Sequence, residues 1–213
     1  MVKLPKTFWL IAPYATWMVL MAALPATATA YAIRTSVVAV ILLVVLRLEC
    51  RKLLLGEPLG EYAASPRSDF RSFLPSLAVG FATGIMIFVV WILPEQAGWD
   101  WYRRWCIIGE GGTQAVAEAG AAMIAIRLIG SAFVISVAEE LFFRKWLISF
   151  AGFWWMVALF AIEHDRWLVG AIAGAVYGLL YLRRGLLAAI AAHVTTNLLL
   201  GLWVLKTGQW QFW

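Results

Sequence analysis

Residues 73–93 read FLPSLAVGFATGIMIFVVWIL, an apolar run without a single charged side chain. A helix that crosses a bilayer needs roughly 20 such residues, so this stretch is long enough to span. The rest of the chain has the same character. Of its 213 residues, 63% are hydrophobic and only 14% charged, and the mean hydropathy is +0.84. Soluble domains run at about 45–50% apolar and about 25% charged, which excludes an ordinary soluble globule; disorder is excluded because the chain has ample apolar surface to bury. The length allows at most about seven or eight spans with short loops, so residues 1–213 read as one integral membrane domain. The expected fold is all-α, a polytopic transmembrane bundle of about seven helices.

Apolar stretches mark helices at approximately 8–24, 31–47, 73–93, 119–150, 153–164, 167–183 and 185–205. The fourth is too long for a simple span and the fifth too short. Basic residues orient them. With the N-terminus inside, the cytoplasmic segments collect Lys3, Lys6, Arg47, Arg51, Lys52, Arg67, Arg71, Arg144, Lys145, Arg183 and Arg184. The outer segments hold only Arg103, Arg104, Arg166 and Lys206, while Arg34 and Arg127 fall within spans or at their edges. That asymmetry is a positive-inside bias. Trp99, Trp101, Trp105, Trp167, Trp210 and Trp213 fall where an outer interfacial belt is expected. The net charge of +5 is spread over loop ends rather than gathered into a basic patch, so nucleic acid is not an expected partner.

Lys3 and Lys6 before an apolar run, with Ala26-Thr27-Ala28 after it, resemble a cleavable signal. The run is longer than a usual signal core and a second follows at once, so a retained anchor is expected. Cys50 and Cys106 lack metal-ligand spacing and fall on opposite sides, which makes them free thiols. No internal or inverted repeat is visible. The longest connections are 56–71, with Gly56, Pro58, Gly60 and Pro66, on the cytoplasmic side and 94–118 outside.

Ionisable groups inside a span cost several kcal/mol unless paired or hydrated, so each is a functional candidate. The chain has two histidines, His164 and His193, and both lie in apolar segments. Glu139 and Glu140 lie in another. Glu140 and Arg144, four apart, share a helix face and can pair. Glu139 points about 100° away and is left available. His193 and Asn197 are also four apart, and Phe160, one turn before His164, can pack on its ring. Depth brings these groups together. Glu139 precedes Gly152 by 13 residues and His164 follows it by 12. At ~1.5 Å per residue both lie ~18–20 Å from that turn. Asn197 follows Gly185 by 12 residues, at similar depth, with His193 one turn shallower. Taken singly, each group also has a structural reading: a buried ion pair for Glu139, Glu140 and Arg144, a packing or hydrogen-bonding role for either histidine. Gly170, Gly174 and Gly178 suit close helix packing, and Trp154-Trp155 a lipid or packing anchor. Glu163 and Asp165 either orient His164 or are solvated at a helix end.

Glu139-Glu140-Leu-Phe-Phe-Arg144, Phe160-Ala-Ile-Glu-His164 and His193-Val-Thr-Thr-Asn197 resemble, in order, the three motifs of the CAAX protease and bacteriocin-processing family of intramembrane endopeptidases. The resemblance covers about residues 120–205, the expected catalytic core. The tail Thr207-Gly-Gln-Trp-Gln-Phe-Trp213 and the stretch Glu163-His-Asp-Arg-Trp167 resemble bacterial CAAX prenyl protease-related proteins, a subgroup associated with exosortase and PEP-CTERM sorting. The resemblance implies a bacterial inner-membrane enzyme acting on a membrane-associated protein or peptide, with exosortase-system proteins as candidate partners. Glu139, with His164, would deprotonate a water; His193 and Asn197 would donate to the oxyanion; Glu140 and Arg144 would support the helix, with Phe160 against His164. No cofactor or metal is expected. Zinc is the rival, since Glu139, His164 and His193 offer three ligands, but there is no His-Glu-x-x-His helix, and Asn197 is a poor zinc ligand. Asp165-Arg166 follows the histidine at once, so a cavity wet from the outer side is expected. Two other readings stand beside proteolysis: a catalytically silent scaffold or immunity-type protein on the same fold, and a proton-coupled carrier, which the lack of inverted repeats weakens.

Overall fold

The computed structural model describes residues 6–54, 70–109 and 120–212. Lys3, Trp213, Arg67, the glycines and prolines of the 56–71 connection and residues 110–118 of the outer one lie outside the described residues, as do the side chains of Lys6, Cys50, Arg51, Lys52 and Arg71. The described chain is helical: α1 Lys6–Ala23, α2 Ala28–Leu54, α3 Phe70–Gln96, α4 Asp100–Cys106, α5 Ala121–Ala151, α6 Phe153–Ile162, α7 Trp167–Arg184 and α8 Leu186–Thr207, with a 3-10 turn at Trp210–Phe212. Seven of the eight helices fall on the stretches that the sequence marks. The addition is α4, a short helix inside the expected outer loop, too short to announce itself by periodicity. Four helices, α2, α3, α5 and α8, are long and apolar enough to cross a membrane, and α1 and α6 are shorter apolar helices. Large apolar side chains face outward on them, among them Leu43, Leu74, Phe150, Trp154 and Ile162. A surface of that kind is stable against lipid rather than water.

The over-long α5 departs from α-geometry twice. π-helical turns occupy Gly130–Ile135 and Glu140–Leu147, on either side of the α-helical turn Ser136–Glu139. A π-turn puts more residues into each turn than an α-turn, so 31 residues form one continuous span. α1 runs antiparallel to α5, with Tyr14 against Phe142 and Phe143. Ala26-Thr27-Ala28 is the turn between α1 and α2, where the Thr27 hydroxyl accepts from the Ala30 amide as an N-cap. Arg34 closes the same turn by donating to the carbonyls of Leu20, Leu24 and Pro25, at the end of α1 and just past it. That accounts for a buried arginine inside a span.

Gly152 and Gly185 sit between antiparallel helices at one end of the bundle with φ of +89° and +86°, where a β-carbon would be strained. α7 rests on α6 through its glycine stripe: a β-carbon at Gly170 would lie 3.2 Å from His164 Cβ, and one at Gly174 3.1 Å from the Phe160 ring. The stripe therefore positions the helix that carries Phe160 and His164. α8 packs on α3 in the same way: a β-carbon at Gly80 would lie 2.6 Å from the Ala188 carbonyl oxygen, and one at Gly84 would meet the Ala192 carbonyl. The two cysteines cannot be compared, but Cys106 is a free thiol buried beside Tyr102 and Val169, and burial pushes it above its ordinary pKa.

The α3–α8 contact is tested by Gly84→Ala. Its β-carbon meets backbone, which cannot rotate away, so a loss of about 1–3 kcal/mol is expected. Thermal unfolding in detergent should show a clear drop in Tm, whereas Val19→Ala, on the lipid face, should leave Tm nearly unchanged. An unaltered Tm for Gly84→Ala would contradict the packing.

Candidate active site

The most buried charge in the bundle is Arg144, on the second π-turn of α5, with no exposed side-chain surface. Its guanidinium lies 3.0 Å from Glu140 Oε1, also fully buried, and over the rings of Phe160 at 4.2 Å and Tyr177 at 5.4 Å. One carboxylate neutralises it and aromatic faces from α6 and α7 supply the rest of its shell. The same Glu140 Oε1 is 2.8 Å from His193 Nδ1. Because Oε1 can only accept, Nδ1 carries a proton, and His193 turns Nε2 toward Glu139 Oε2 at 3.6 Å. An imidazole lone pair and a carboxylate lone pair would repel across that gap, so one proton or one water belongs between them. Tyr177 stacks on His193 with centroids 5.1 Å apart. It is itself fixed by its hydroxyl, which donates to Thr196 Oγ1 at 2.7 Å, and Thr196 in turn donates to the Gly84 carbonyl.

His164 lies just past the end of α6. Its Nδ1 is 2.7 Å from the Phe160 carbonyl, and the two rings pack with centroids 4.6 Å apart. A carbonyl fixes the tautomer: Nδ1 donates, and Nε2 is left as an acceptor. Glu163 is held by the Tyr14 hydroxyl, and Asp165 is exposed, so the backbone of Phe160 rather than either flanking acid orients the ring. Asn197 Nδ2 donates to Ser136 Oγ at 2.9 Å and to the Ser131 carbonyl at 3.2 Å. The Ser131 carbonyl fixes which end of the amide faces it. Both amide hydrogens are therefore used in tying α8 to α5, and Oδ1 is the free atom.

Glu139, His164, His193 and Asn197 line one cavity of about 240 Å³, together with Phe160, Tyr177 and Thr196. Glu139 Oε2 is buried there without a hydrogen-bond partner in the protein. A carboxylate oxygen in that state needs a proton, a water or a ligand. Glu140 and Arg144 lie behind the wall. Among the described residues, no three histidine, cysteine or acidic side chains are grouped to hold a metal ion.

One comparison with known proteins finds a match in this part of the chain. Residues 121–199 match the family model described as type II CAAX prenyl endopeptidase Rce1-like. That segment is similar to the Rce1-like family. No curated protein and no solved structure matches the chain. The matched segment begins with α5 and ends two residues after Asn197, so it contains Glu139, Glu140, Arg144, Phe160, His164, Tyr177, His193 and Asn197, and the apolar helices around it make the chain an integral membrane protein.

Three residues of this site escape sequence reasoning. Ser136 reads as an ordinary small helix residue until Asn197 is seen to use it. Tyr177 sits within the glycine stripe of α7 and looks like core. Thr196 lies between His193 and Asn197, and its role appears only with Gly84 beside it. The one available signal is that Tyr177 is flanked by Gly174 and Gly178, which leave its ring as the bulk on that face.

The Glu140–Arg144 pair makes a double-mutant test. Glu140→Gln leaves an unneutralised guanidinium in an apolar core, at a cost of about 3–5 kcal/mol. The double variant Glu140→Gln with Arg144→Met removes both charges and should unfold at a higher temperature than Glu140→Gln alone. A double variant less stable than Glu140→Gln would contradict the pairing.

Proposed function

We propose that the chain is an endopeptidase of the bacterial inner membrane, its N-terminus in the cytoplasm, that hydrolyses a peptide bond of a membrane-associated protein. The observation that carries this reading is the convergence of Glu139, His164 and His193 on one buried cavity with two acceptor atoms free, Glu139 Oε2 and His164 Nε2. A water that donates one hydrogen to each presents its lone pair to a substrate carbonyl. As the water attacks, its proton passes to Glu139, and the carbonyl carbon becomes tetrahedral. His193, entering the step as an imidazolium with its Nδ1 hydrogen on Glu140, donates its Nε2 hydrogen to the oxyanion. Glu139 then hands its proton to the leaving amide nitrogen, the C–N bond breaks, and a carboxylate and an amine are released. The reaction needs no metal. General-base assistance of this kind is worth about 10²–10⁴-fold, and an oxyanion donor a similar order. Asn197 acts in this scheme by holding α8 to α5, and reaches the oxyanion only if it releases Ser131 and Ser136. Proteins of exosortase-linked sorting are the first substrates to examine.

Comparative mass spectrometry of membrane proteins from cells carrying wild-type chain or Glu139→Gln tests this reading. The expected result is a cleaved product present with wild type and reduced by about 10²-fold or more in the variant, which still folds. A product formed equally by both would reject Glu139 as the base. The metal question is separate. Purified protein, stripped with a chelator, should keep its activity and hold substoichiometric zinc. Activity lost on stripping and restored by zinc would make Glu139 a ligand.

A further inference from the structure

The cavity extends in one direction from the reactive groups. On α5 it is lined by Glu139 and then by Ile135, Ser131 and Arg127, one step per turn away from Gly152. Among the described residues of α5, none beyond Glu139 toward Gly152 takes part. On α8 the lining starts at His193 and runs outward to Leu200, away from Gly185. Trp17 near the end of α1, Tyr31 near the start of α2 and Trp91 near the end of α3 all belong to the same half of the bundle. Toward the glycine turns the path is filled instead: Leu147, Leu180, Tyr181 and Leu186 form packed core there. At no more than ~1.5 Å per residue, the 13 residues from Gly152 to Glu139 span at most ~20 Å of a hydrocarbon layer of about 30 Å.

The ends of the bundle differ in charge. Arg183 and Arg184 close α7 at the glycine end, the end that the positive-inside reading of the sequence assigns to the cytoplasm. At the far end the Arg166–Glu95 ion pair lies beneath the Phe212 ring, 4.8 Å from the guanidinium. Phe212 arrives there on a strap that turns back from α8 at Gly208, held by Gln209 accepting from Gln96 at 2.6 Å, and it forms part of the cavity wall.

We infer that the cavity is fed from the extracytoplasmic face, past Phe212, and that its substrates are peptide segments presented on that side of the membrane. The inference rests on the proteolytic reading for what enters, and on the cavity wall and the positive-inside rule for the direction. The aromatic wall of Trp17, Trp91 and Phe212 suits a segment with apolar side chains.

The test reads access rather than activity. Cys50→Ser and Cys106→Ser provide a thiol-free background, in which Leu200→Cys places one thiol in the cavity wall. A membrane-impermeant maleimide is applied to spheroplasts and to inside-out vesicles, with Lys206→Cys and Arg184→Cys marking the two ends. Leu200→Cys and Lys206→Cys should label in spheroplasts, Arg184→Cys only in inside-out vesicles, and Phe212→Ala should speed labelling of Leu200→Cys severalfold. Ile135→Cys carries the same test should Leu200→Cys fail to accumulate. Labelling of the cavity thiol only in inside-out vesicles would overturn the inference. So would a cavity thiol that resists labelling from both sides even with Phe212→Ala, or Lys206→Cys reacting only in the vesicles. Because labelling should persist in Glu139→Gln, failure of this inference is distinguishable from failure of the proteolytic reading.

Discussion

A guanidinium with no access to water is the constraint around which the domain is arranged. Apolar packing alone cannot hold the charge of Arg144. Glu140 answers the charge, and the faces of Phe160 and Tyr177 answer its size. Those three partners come from α5, α6 and α7, so neutralising one side chain fixes the relative position of three helices. The glycine stripe of α7 follows from this, because Phe160 reaches the guanidinium only if α6 and α7 approach within the space that Gly174 leaves.

That arrangement divides two neighbouring glutamates. Glu140 faces the ion pair and His193 Nδ1 with the same oxygen, which sets the imidazole tautomer and aims Nε2 at Glu139. Glu139 has no strong cation of its own and an oxygen without a protein partner. In the proposed reaction the first glutamate of the pair is thus free to exchange protons because the second is not. Successive residues of a helix point about 100° apart, so Glu139 and Glu140 reach different walls within a single helix.

Much of the fold was legible from local properties. Apolar length marks seven of the eight helices, Gly152 and Gly185 mark their turns, and residue spacing pairs Glu140 with Arg144, since each depends on near neighbours in the chain. The depth count from the two glycines anticipates that Glu139, His164, His193 and Asn197 meet at one level, because antiparallel helices share a rise per residue. What depends on rotation about the helix axes is not legible. Helix spacing sets His193 beside Asn197 and the family resemblance implies that both donate to an oxyanion, whereas the bundle gives His193 to both glutamates and spends the Asn197 amide on Ser131 and Ser136. No sequence signal announces the π-turns, and Tyr177 and Ser136 acquire their roles only from residues distant in the chain. The same holds for α4, whose seven residues are too few for a periodic pattern.

The claim that Glu139 acts through water, rather than by attacking the peptide itself, is open to direct measurement. A single turnover of the cleaved peptide by purified protein in ¹⁸O-labelled water would be followed by mass spectrometry of both product and protein. Attack by water places one ¹⁸O in the new C-terminal carboxylate and leaves the peptide containing Glu139 unlabelled. Product carrying only ¹⁶O, with ¹⁸O retained on Glu139, would contradict the account and make the glutamate a covalent nucleophile.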